Sequence, residues 1–383
     1  MAPKKLKNSQ ETYPTAASLA DCEDLVLCIL ARLPVKSIIR FKSVCKSWNH
    51  LLSTREFVKM QFKLSNESKN QSFLVHRVNR NDSNTISVFN IQSDEKKAKF
   101  LDHPFNYTKI DIVGCCRGLV CIKCGKGFVL WNPAMNLSKT VSPLKDHGDD
   151  FKVSPGFGYD AEGDDFKVVR IVFLIEKLRF RKFVSCVEVY SVNSDSWTTI
   201  DPGFQFSEMW YYWIYNSVIV NGNPYWVGRV VEEFKYVLIC FDMSKLVLKI
   251  VPLTSLDYNN AEQAIEFVDL NGSLGALVFN FEIQIDLNER IVYVDTWVFD
   301  EVEQIWTKSH RVVPIEVKIM NQVLQCLKDG RVLGMGPKHQ LIVFNSESKC
   351  VNGLFNIRQG FDIYDYTASL EYIQGMEKDT RWH

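Results

Sequence analysis

Four cysteines lie within ten positions of one another and give one stretch of the chain the residue types of a metal site. They are Cys115, Cys116, Cys121 and Cys124. A tetrahedral zinc site takes four ligands, usually from two separated pairs, and no second Cys-x-x-Cys pair or paired histidine follows downstream. Cys121 and Cys124 are three positions apart, so on a regular strand they face opposite sides. The sequence therefore predicts cysteines of a protein core, with no metal and no other cofactor.

The short motifs of hydrolytic, metal-dependent and nucleotide-binding chemistry are missing from the sequence. It contains no Gly-x-Ser-x-Gly, no His-Glu-x-x-His and no phosphate-binding Gly-x-x-x-x-Gly-Lys-Ser/Thr. Gly156-Phe157-Gly158 begins like a dinucleotide-binding loop, but it lacks the third glycine and the helix, which indicates a strand–turn element. The seven histidines are scattered and form no pair at ligand spacing. We therefore predict that the protein is not an enzyme.

The most aromatic stretch of the chain offers a candidate binding surface. It begins with Trp210, Tyr211, Tyr212 and Trp213 and continues to Tyr215. Aromatic rings with polar tips form interface hot spots or platforms that stack on sugars. The simpler interpretation, which we favour, is a strand whose alternate rings fill the core. If a substrate contacts this chain, the first four residues are our candidates for binding it.

Composition places these residues in an ordinary globular chain. The 383 residues are 46% hydrophobic and 23% charged, and 45 Lys and Arg balance 45 Asp and Glu. This balance argues against a general binder of nucleic acid or of membrane surfaces. It is uneven, however, because residues 1–62 carry ten basic and five acidic side chains, which makes this segment +5 and the remainder −5. An acidic partner is therefore expected for the N-terminal part.

Cysteine usage and hydropathy give an expectation for the compartment. The eleven cysteines are odd in number and irregularly spaced, and the first thirty residues lack a signal-peptide pattern. No apolar stretch approaches the roughly 18 residues of a transmembrane helix. We therefore expect a soluble protein of the cytoplasm, the nucleus or both, with no membrane contact.

The N-terminal part of the sequence predicts a short helical domain. Residues 1–18 are polar and predict a disordered lead-in. Apolar residues then recur at helical spacing over 22–33, and Pro34 ends that helix because it cannot continue the hydrogen-bond ladder. A second helix is predicted from Val35 and a third over 44–52. Three short helices cannot bury all this apolar surface among themselves, so the surplus indicates a protein-binding face. The alternative is that it packs on the chain's own second part.

From Ser72 onward the sequence predicts β-structure with a recurring pattern. A strand ends in an aromatic residue followed by Asn, Asp or Ser, and an aromatic or apolar residue stands seven positions after the first aromatic. The best copies, 51, 58 and 45 residues apart, are Tyr190-Ser191, Phe241-Asp242, Phe299-Asp300 and Phe344-Asn345; weaker copies are Phe89-Asn90, Trp131-Asn132 and Tyr159-Asp160. This period resembles kelch-type blades, so we expect a propeller of five to seven blades. A two-sheet β-sandwich is the alternative.

The helical segment, residues 19–62, resembles the F-box. The resemblance is carried by Asp24-Leu25-Val26, Ile29-Leu30, Arg32-Leu33-Pro34-Val35-Lys36-Ser37, Arg40-Phe41-Lys42, Val44-Cys45-Lys46, Trp48, Leu51-Leu52 and Phe57. The family's opening Leu-Pro stands here as Leu19-Ala20. The resemblance implies that these helices bind a Skp1-type adaptor, which links them to a cullin–RING ligase. The residues that it implies for this contact are Leu25, Ile29, Leu33, Pro34, Ile38, Val44 and Trp48.

Residues 70–375 are similar to the kelch-like F-box-associated domain of plant F-box proteins, including the S-locus (self-incompatibility) group. The motifs are Gly114-Cys115-Cys116-Arg117-Gly118, Leu130-Trp131-Asn132-Pro133-Ala134, Gly156 to Asp160 and Gly222-Asn223-Pro224-Tyr225-Trp226. Together the two resemblances imply an α+β multidomain protein, with a small three-helix F-box followed by a large all-β propeller. They also imply a substrate receptor for ubiquitination that supplies no chemistry of its own. The alternative function is a propeller lectin or scaffold outside any ligase.

Overall fold

The structure is a computed structural model, and in several strand ends it describes the backbone alone. It describes residues 25–68, 71–78, 84–91, 99–101, 110–142, 144, 147–176, 181–203, 211–230, 236–256, 263–284, 289–316, 322–327, 330–336, 340–345, 350–356 and 361–378. The chain divides into two compact units, Met1–Glu67 and Ser68–His383. Within the described residues, the helices lie in the first unit and the strands in the second. The predicted lead-in, 1–18, lies outside the described residues.

Four helices form the described part of the first unit. They are α1 (25–30), α2 (Val35–Phe41), α3 (Lys46–Leu51) and α4 (Arg55–Asn66). Pro34 separates the first two, as its missing N–H requires, and its carbonyl oxygen accepts the N–H groups of Ser37 and Ile38 in the first turn of α2. The predicted helices therefore exist, although α1 ends at Leu30 and α3 is shorter than the predicted 44–52.

The prediction of three helices was wrong because it missed α4. This helix begins after Thr54, whose hydroxyl accepts the N–H of Phe57 at 3.3 Å and so satisfies one of the free donors of the first turn. Its buried residues are Phe57, Val58 and Gln61. A stripe of two apolar residues and a glutamine is a weak helical signal, whereas the capping threonine was visible in the sequence.

The second unit is a propeller of six antiparallel blades. Blade 1 contains β24 (Phe361–Asp365), β1 (Ser72–Val78), β2 (Asn84–Asn90) and β3 (Lys99–Leu101). Blade 2 contains β4 (Ile110–Cys116), β5 (Leu119–Cys124), β6 (Gly127–Asn132) and β7 (Leu137–Val141), with β25 (Glu377–Lys378) added at its outer edge. Blade 3 contains β8 (Phe151–Asp160), β9 (Asp165–Glu176), β10 (Arg181–Ser191) and β11 (Ser196–Ile200). Blade 4 contains β12 (Tyr211–Val220), β13 (Asn223–Val230), β14 (Tyr236–Asp242) and β15 (Val247–Val251); blade 5 contains β16 (Gln263–Leu270), β17 (Ser273–Gln284), β18 (Glu289–Asp300) and β19 (Ile305–Glu316); blade 6 contains β20 (Gln322–Cys326), β21 (Val332–Met335), β22 (Gln340–Asn345) and β23 (Cys350–Asn356). The propeller prediction is confirmed with six blades, and the β-sandwich alternative is wrong.

Six apolar clusters hold the propeller together, one between each pair of neighbouring blades. Side chains alternate across each strand, so one blade supplies two clusters. In β5, Val120 and Ile122 belong to the cluster shared with blade 1, whereas Leu119 and Cys121 belong to the cluster shared with blade 3. The ring closes because β24, from the C-terminal part of the chain, pairs with β1.

The recurring aromatic–Asx pattern marks the same place in every blade. Its copies end the third strand of each of the six blades, and the additional copy, Tyr159-Asp160, ends the first strand of blade 3. In blades 2 to 6, the residue seven positions after the aromatic lies directly opposite it on the fourth strand, as in the pair Tyr190 and Trp197. In blade 5, the Asp300 carboxylate accepts the N–H groups of Val302 (2.8 Å) and Glu303 (3.0 Å) and so caps its own turn.

Candidate functional site

The helical unit exposes large apolar side chains on one helix. Leu25 is 63% exposed and Ile29 62% exposed, and their spacing of four places both on the same side of α1. Val26 beside them, which was not among the predicted contact residues, is also exposed, and Val44 before α3 is 64% exposed. Four of the nine exposed large apolar residues in the described chain thus fall within twenty positions, which is more than scattered surface residues explain.

The other predicted contact residues differ in how much surface they offer. Pro34 is exposed, and Leu33 and Trp48 are half-buried. The Trp48 ring meets the Phe41 ring edge-on, with 5.6 Å between ring centroids, so it also supports the packing of α3 on α2. Ile38 is fully buried, with 0% exposure, which corrects its assignment to the contact surface. A helical stripe shows which residues are apolar but not which of them the neighbouring helices cover.

Basic side chains alternate with these apolar residues along the helical segment. Arg32, Lys36, Arg40 and Lys46 are exposed, and Lys42 is half-buried. Burial lowers the pKa of Lys42. The Arg32 guanidinium donates to the carbonyl of Cys28 at 2.8 Å, near the end of α1. The helical segment thus combines exposed apolar residues with an excess of positive charge. This combination suits an acidic protein partner, and the charge chiefly speeds the encounter with it.

Two of the four clustered cysteines, Cys121 and Cys124, are buried in the core, as predicted, and Cys115 and Cys116 are half-buried against it. Cys121 lies in the apolar cluster shared with blade 3 and Cys124 in the one shared with blade 1, so the two thiols face away from each other. Burial raises the pKa of Cys116 to about 12 and that of Cys124 to about 11, and both therefore stay protonated. Across the described residues, no three His, Cys, Asp or Glu side chains are grouped so that they could hold a metal ion.

The Gly156-Phe157-Gly158 segment has a packing role in β8. A Cβ atom on Gly156 would lie 2.3 Å from the Trp226 ring, and one on Gly158 would lie 1.9 Å from the carbonyl oxygen of Gly222. The N–H of Tyr159 donates to that same carbonyl at 3.0 Å. The glycines therefore let blades 3 and 4 approach each other closely, which agrees with the predicted strand–turn element.

Asp160, at the end of β8, ties blade 3 to blade 4. One carboxylate oxygen accepts the N–H groups of Glu162 and Gly163 (both 3.0 Å) and the Ser244 hydroxyl of blade 4 (2.5 Å). The other oxygen accepts the Lys167 ammonium at 2.5 Å. Burial acts to raise the pKa of Asp160, but the hydrogen bonds from Gly163, Lys167 and Ser244 outweigh it and lower the pKa to about 2.

The two ends of the propeller differ. The turns between first and second strands and between third and fourth strands lie at one end, which we call the turn end; the connections between second and third strands lie at the other, the hairpin end. Strands β9, β10, β17 and β18 have eleven or twelve residues, against six in β5 and β6. At about 3.3 Å per residue they reach ~40 Å instead of ~20 Å. Blades 3 and 5 therefore rise well above blade 2 at the hairpin end.

The aromatic segment begins at this raised end. Trp210 and the side chains of Tyr211, Tyr212 and Trp213 lie outside the described residues, so neither their predicted burial nor a binding role is tested. The backbone of β12 starts at Tyr211, which pairs with Lys182 of β10 and with Val230 of β13. The segment thus starts beside the long hairpin of blade 3.

Two protein families match this chain. The F-box domain family matches residues 22–60, and the F-box associated beta propeller domain family matches residues 69–367. The second match covers well over half of the chain and ends shortly after β24. The chain belongs to the F-box proteins with an F-box-associated β-propeller. The helical unit is accordingly its F-box, and the six blades are its F-box-associated domain.

The names of two relatives of this F-box protein combine an F-box with a kelch repeat. An F-box/kelch-repeat protein of Arabidopsis thaliana is 28% identical over 86% of this chain and 87% of its own length. A second F-box/kelch-repeat protein of that plant is 25% identical over 79% of this chain and 71% of its own. Among solved structures, an oligogalacturonate lyase covers 73% of this chain and 77% of its own at 10% identity, but its TM-score of 0.41 is too low to bear on function.

No helix in the described part of the chain is long and apolar enough to cross a membrane.

Proposed function

We propose that this F-box protein is the substrate-recognition subunit of a Skp1–cullin–F-box ubiquitin ligase. The observation that carries the proposal is the exposed apolar surface of α1, inside the segment matched by the F-box family. A partner that covers Leu25 and Ile29 removes two large apolar side chains from water, and each is worth about 1.5–3 kcal/mol when fully buried. The propeller then holds a protein substrate for ubiquitination and degradation.

The contact with a Skp1-type adaptor uses a corrected set of residues. It consists of Leu25, Val26, Ile29, Leu33, Pro34, Val44 and Trp48, without the buried Ile38. The exposed positive charges of Arg32, Lys36 and Arg40, in the same helical segment, guide an acidic adaptor to this surface. Through the adaptor, the chain joins a cullin–RING ligase in the cytoplasm, the nucleus or both.

The substrate is a protein that contacts the hairpin end of the propeller. The difference in height between blades 3 and 5 and blade 2 supports this position, and so does the start of β12 at Tyr211. Trp210, Tyr211, Tyr212 and Trp213 remain our candidates there. The chain supplies proximity and no chemistry, because binding raises the local concentration of substrate lysines near the charged ubiquitin-conjugating enzyme. The similarity to the S-locus group remains a proposal that rests on the sequence motifs.

The experiment compares adaptor binding by the intact chain and by two charge variants. Ile29→Asp places a carboxylate in the exposed patch, where it does not disturb a core, and we expect affinity for a plant Skp1-type protein to fall thirtyfold or more. The matched control is Val302→Asp, which changes an even more exposed apolar residue (86%) in the propeller and is expected to bind normally. Equal binding by both variants, or no binding by the intact chain, contradicts the proposal. The second outcome is the one expected of a free-standing lectin or scaffold.

A further inference from the structure

The chain continues past the strand that closes the propeller. Residues 366–378, which we call the strap, leave blade 1 after β24 and cross the turn end of blade 2. At the start of the strap, the N–H of Tyr366 donates to the carbonyl of Ser72 at 3.0 Å. At its far end, β25 pairs with the outer strand β7, with Glu377 opposite Ser138. Because β24 already completes blade 1, no blade needs the strap for its four strands.

Polar contacts fasten the strap to both turns of blade 2. The Asn132 side-chain NH2 donates to the carbonyls of Ser369 (3.2 Å) and Glu371 (2.8 Å), and the Ser369 hydroxyl donates to the carbonyl of Arg117 (2.7 Å). The Asn132 oxygen meanwhile accepts the N–H groups of its own turn, for example that of Ala134 at 3.0 Å. Asn132 is thus both a turn cap and an anchor of the strap.

Asn132 can fill this double role, whereas the Asp at the same position in blades 4 and 5 could not. Blades 1 and 6 also carry Asn there, so the residue type alone does not mark the strap. The carboxylates of Asp242 and Asp300 cap their turns through the same pair of backbone N–H groups. A carboxylate can accept these bonds, but it has no hydrogen to donate to the strap carbonyls. Asn132 therefore serves the strap as well as the turn, and an Asp at this position would serve the turn alone.

A buried charge extends the contact to blade 3. The Glu371 side chain is fully buried, and its carboxylate lies 3.5 Å from Nε of Arg117. The Arg117 guanidinium lies in turn 4.4 Å from the centre of the Tyr159 ring, at the end of the first strand of blade 3. Removal of the strap would leave Arg117 without this carboxylate at the junction of the two blades.

Apolar residues of the strap complete two of the clusters between blades. Tyr366 belongs to the cluster between blades 1 and 2, and Ile373 and Met376 belong to the cluster between blades 2 and 3. Tyr372 and Gln374, between and beside them, point to solvent. The strap therefore packs on the propeller with one side, like a strand on a core.

We propose that the strap is a second closure of the propeller, which holds blades 1, 2 and 3 together after β24 has closed the ring. The pairing of β24 with β1 then depends on contacts made outside blade 1. Opening the ring requires release of both closures. A weakened strap therefore lowers the protection of the β24–β1 pair against hydrogen exchange, although the strap contacts this pair at one end only.

The experiment measures hydrogen exchange in the full-length chain for two strap variants. Asn132→Asp keeps the turn cap and removes the strap bonds, and Ile373→Ala/Met376→Ala removes the apolar contacts. We expect amides of the β24–β1 pair to exchange tenfold faster or more in both variants, with the β17–β18 pair of blade 5 unchanged. The double variant is also expected to lower the melting midpoint by roughly 5–10 °C.

Matched controls separate the strap from ordinary surface or cap effects. Tyr372→Ala/Gln374→Ala changes the exposed residues of the same segment, and Asp300→Asn makes the reverse Asp/Asn exchange at the same place in blade 5. Both controls are expected to exchange like the unmodified chain. The proposal is overturned if the strap variants lose protection in the β25–β7 pair alone while the β24–β1 pair keeps it, or if Asn132→Asp behaves like Asp300→Asn.

Discussion

Replacement of Asp160 by Asn tests the buried ion pair between Asp160 and Lys167 at the side of blade 3 that faces blade 4. The pKa of Asp160 is lowered to about 2 from an ordinary value of 3.8. One pKa unit corresponds to ~1.4 kcal/mol, so the ionised carboxylate stabilises the folded state by about 2 kcal/mol at neutral pH. Asparagine keeps an oxygen for the N–H groups of Glu162 and Gly163, so we expect the loss to arise at Lys167, whose ammonium then faces an amide NH2 group.

The pH dependence of this difference has a definite sign. Because the pKa of Asp160 is lower in the folded than in the unfolded chain, its contribution is complete above about pH 4 and is lost as the pH falls through 2. Linkage gives roughly half of the neutral-pH value at about pH 3. The stability difference between the intact chain and Asp160→Asn therefore narrows with acidification, even as both proteins become less stable.

Thermal unfolding followed by tryptophan fluorescence measures this effect in the propeller, because eight of the nine tryptophans lie beyond residue 67. At about 2 °C per kcal/mol for a large domain, we expect Asp160→Asn to melt about 4 °C lower at pH 7. The control is Asp300→Asn, which alters an exposed cap and is expected to shift the midpoint by less than about 1 °C. Equal midpoints for the two variants, or a difference that persists undiminished at pH 3, refute the reasoning.

Two further predictions concern packing and thiol reactivity. Gly158→Ala places a Cβ atom 1.9 Å from the backbone of Gly222, which cannot move aside, so we expect a propeller that melts several degrees lower or does not fold. Gly125→Asn, in open space at a φ of 58° that Asn tolerates, serves as its control, and equal melting of the two variants contradicts the packing role. The hydrogen bond with Ser47 lowers the pKa of the exposed Cys45, so mass-spectrometric mapping is expected to find it modified by a thiol reagent in the native protein. Burial raises the pKa of Cys121, which is expected to react after unfolding; labelling of native Cys121 would count against a sealed core.

Much of the propeller could be predicted from the spacing of residues along the sequence. The recurring aromatic–Asx pattern predicted a propeller, and in the structure the seven-residue interval between Tyr190 and Trp197 is the length of a tight turn plus its flanking strand residues, which places the two rings opposite each other. The three-residue interval between Cys121 and Cys124 likewise predicted opposite faces. Both follow from the period of a β-strand, which tertiary contacts do not change.

The number of blades and the strap could not be obtained in this way. The lengths of the blade strands vary from three residues in β3 to twelve in β17, and blade 3 contains the additional Tyr159-Asp160 copy, so the repeat interval does not divide the chain evenly. The strap occurs once and has no second copy to reveal it. Its anchor, Asn132, shares its residue type with Asn90 and Asn345 at the same position of other blades, and its contact with the strap joins residues 239 positions apart in sequence.

The sequence predicted that the F-box exposes apolar residues, but it did not predict which of them are exposed. The helical spacing identified Leu25, Ile29 and Ile38 as apolar with equal weight, yet the first two are exposed and the third is buried. Which side of a short helix faces its neighbours depends on the angles between helices, and these are not encoded in the spacing along one helix. The same reason accounts for the omission of Val26.

The most direct test of the central proposal is the assembly of this chain with a plant Skp1-type protein and the N-terminal part of a cullin, measured by size-exclusion chromatography with light scattering. We predict a ternary complex with one copy of each protein, in which the chain joins the cullin when the adaptor is present and elutes separately when it is absent. Elution of the intact chain apart from an adaptor–cullin complex at micromolar concentrations would contradict its role as a ligase receptor.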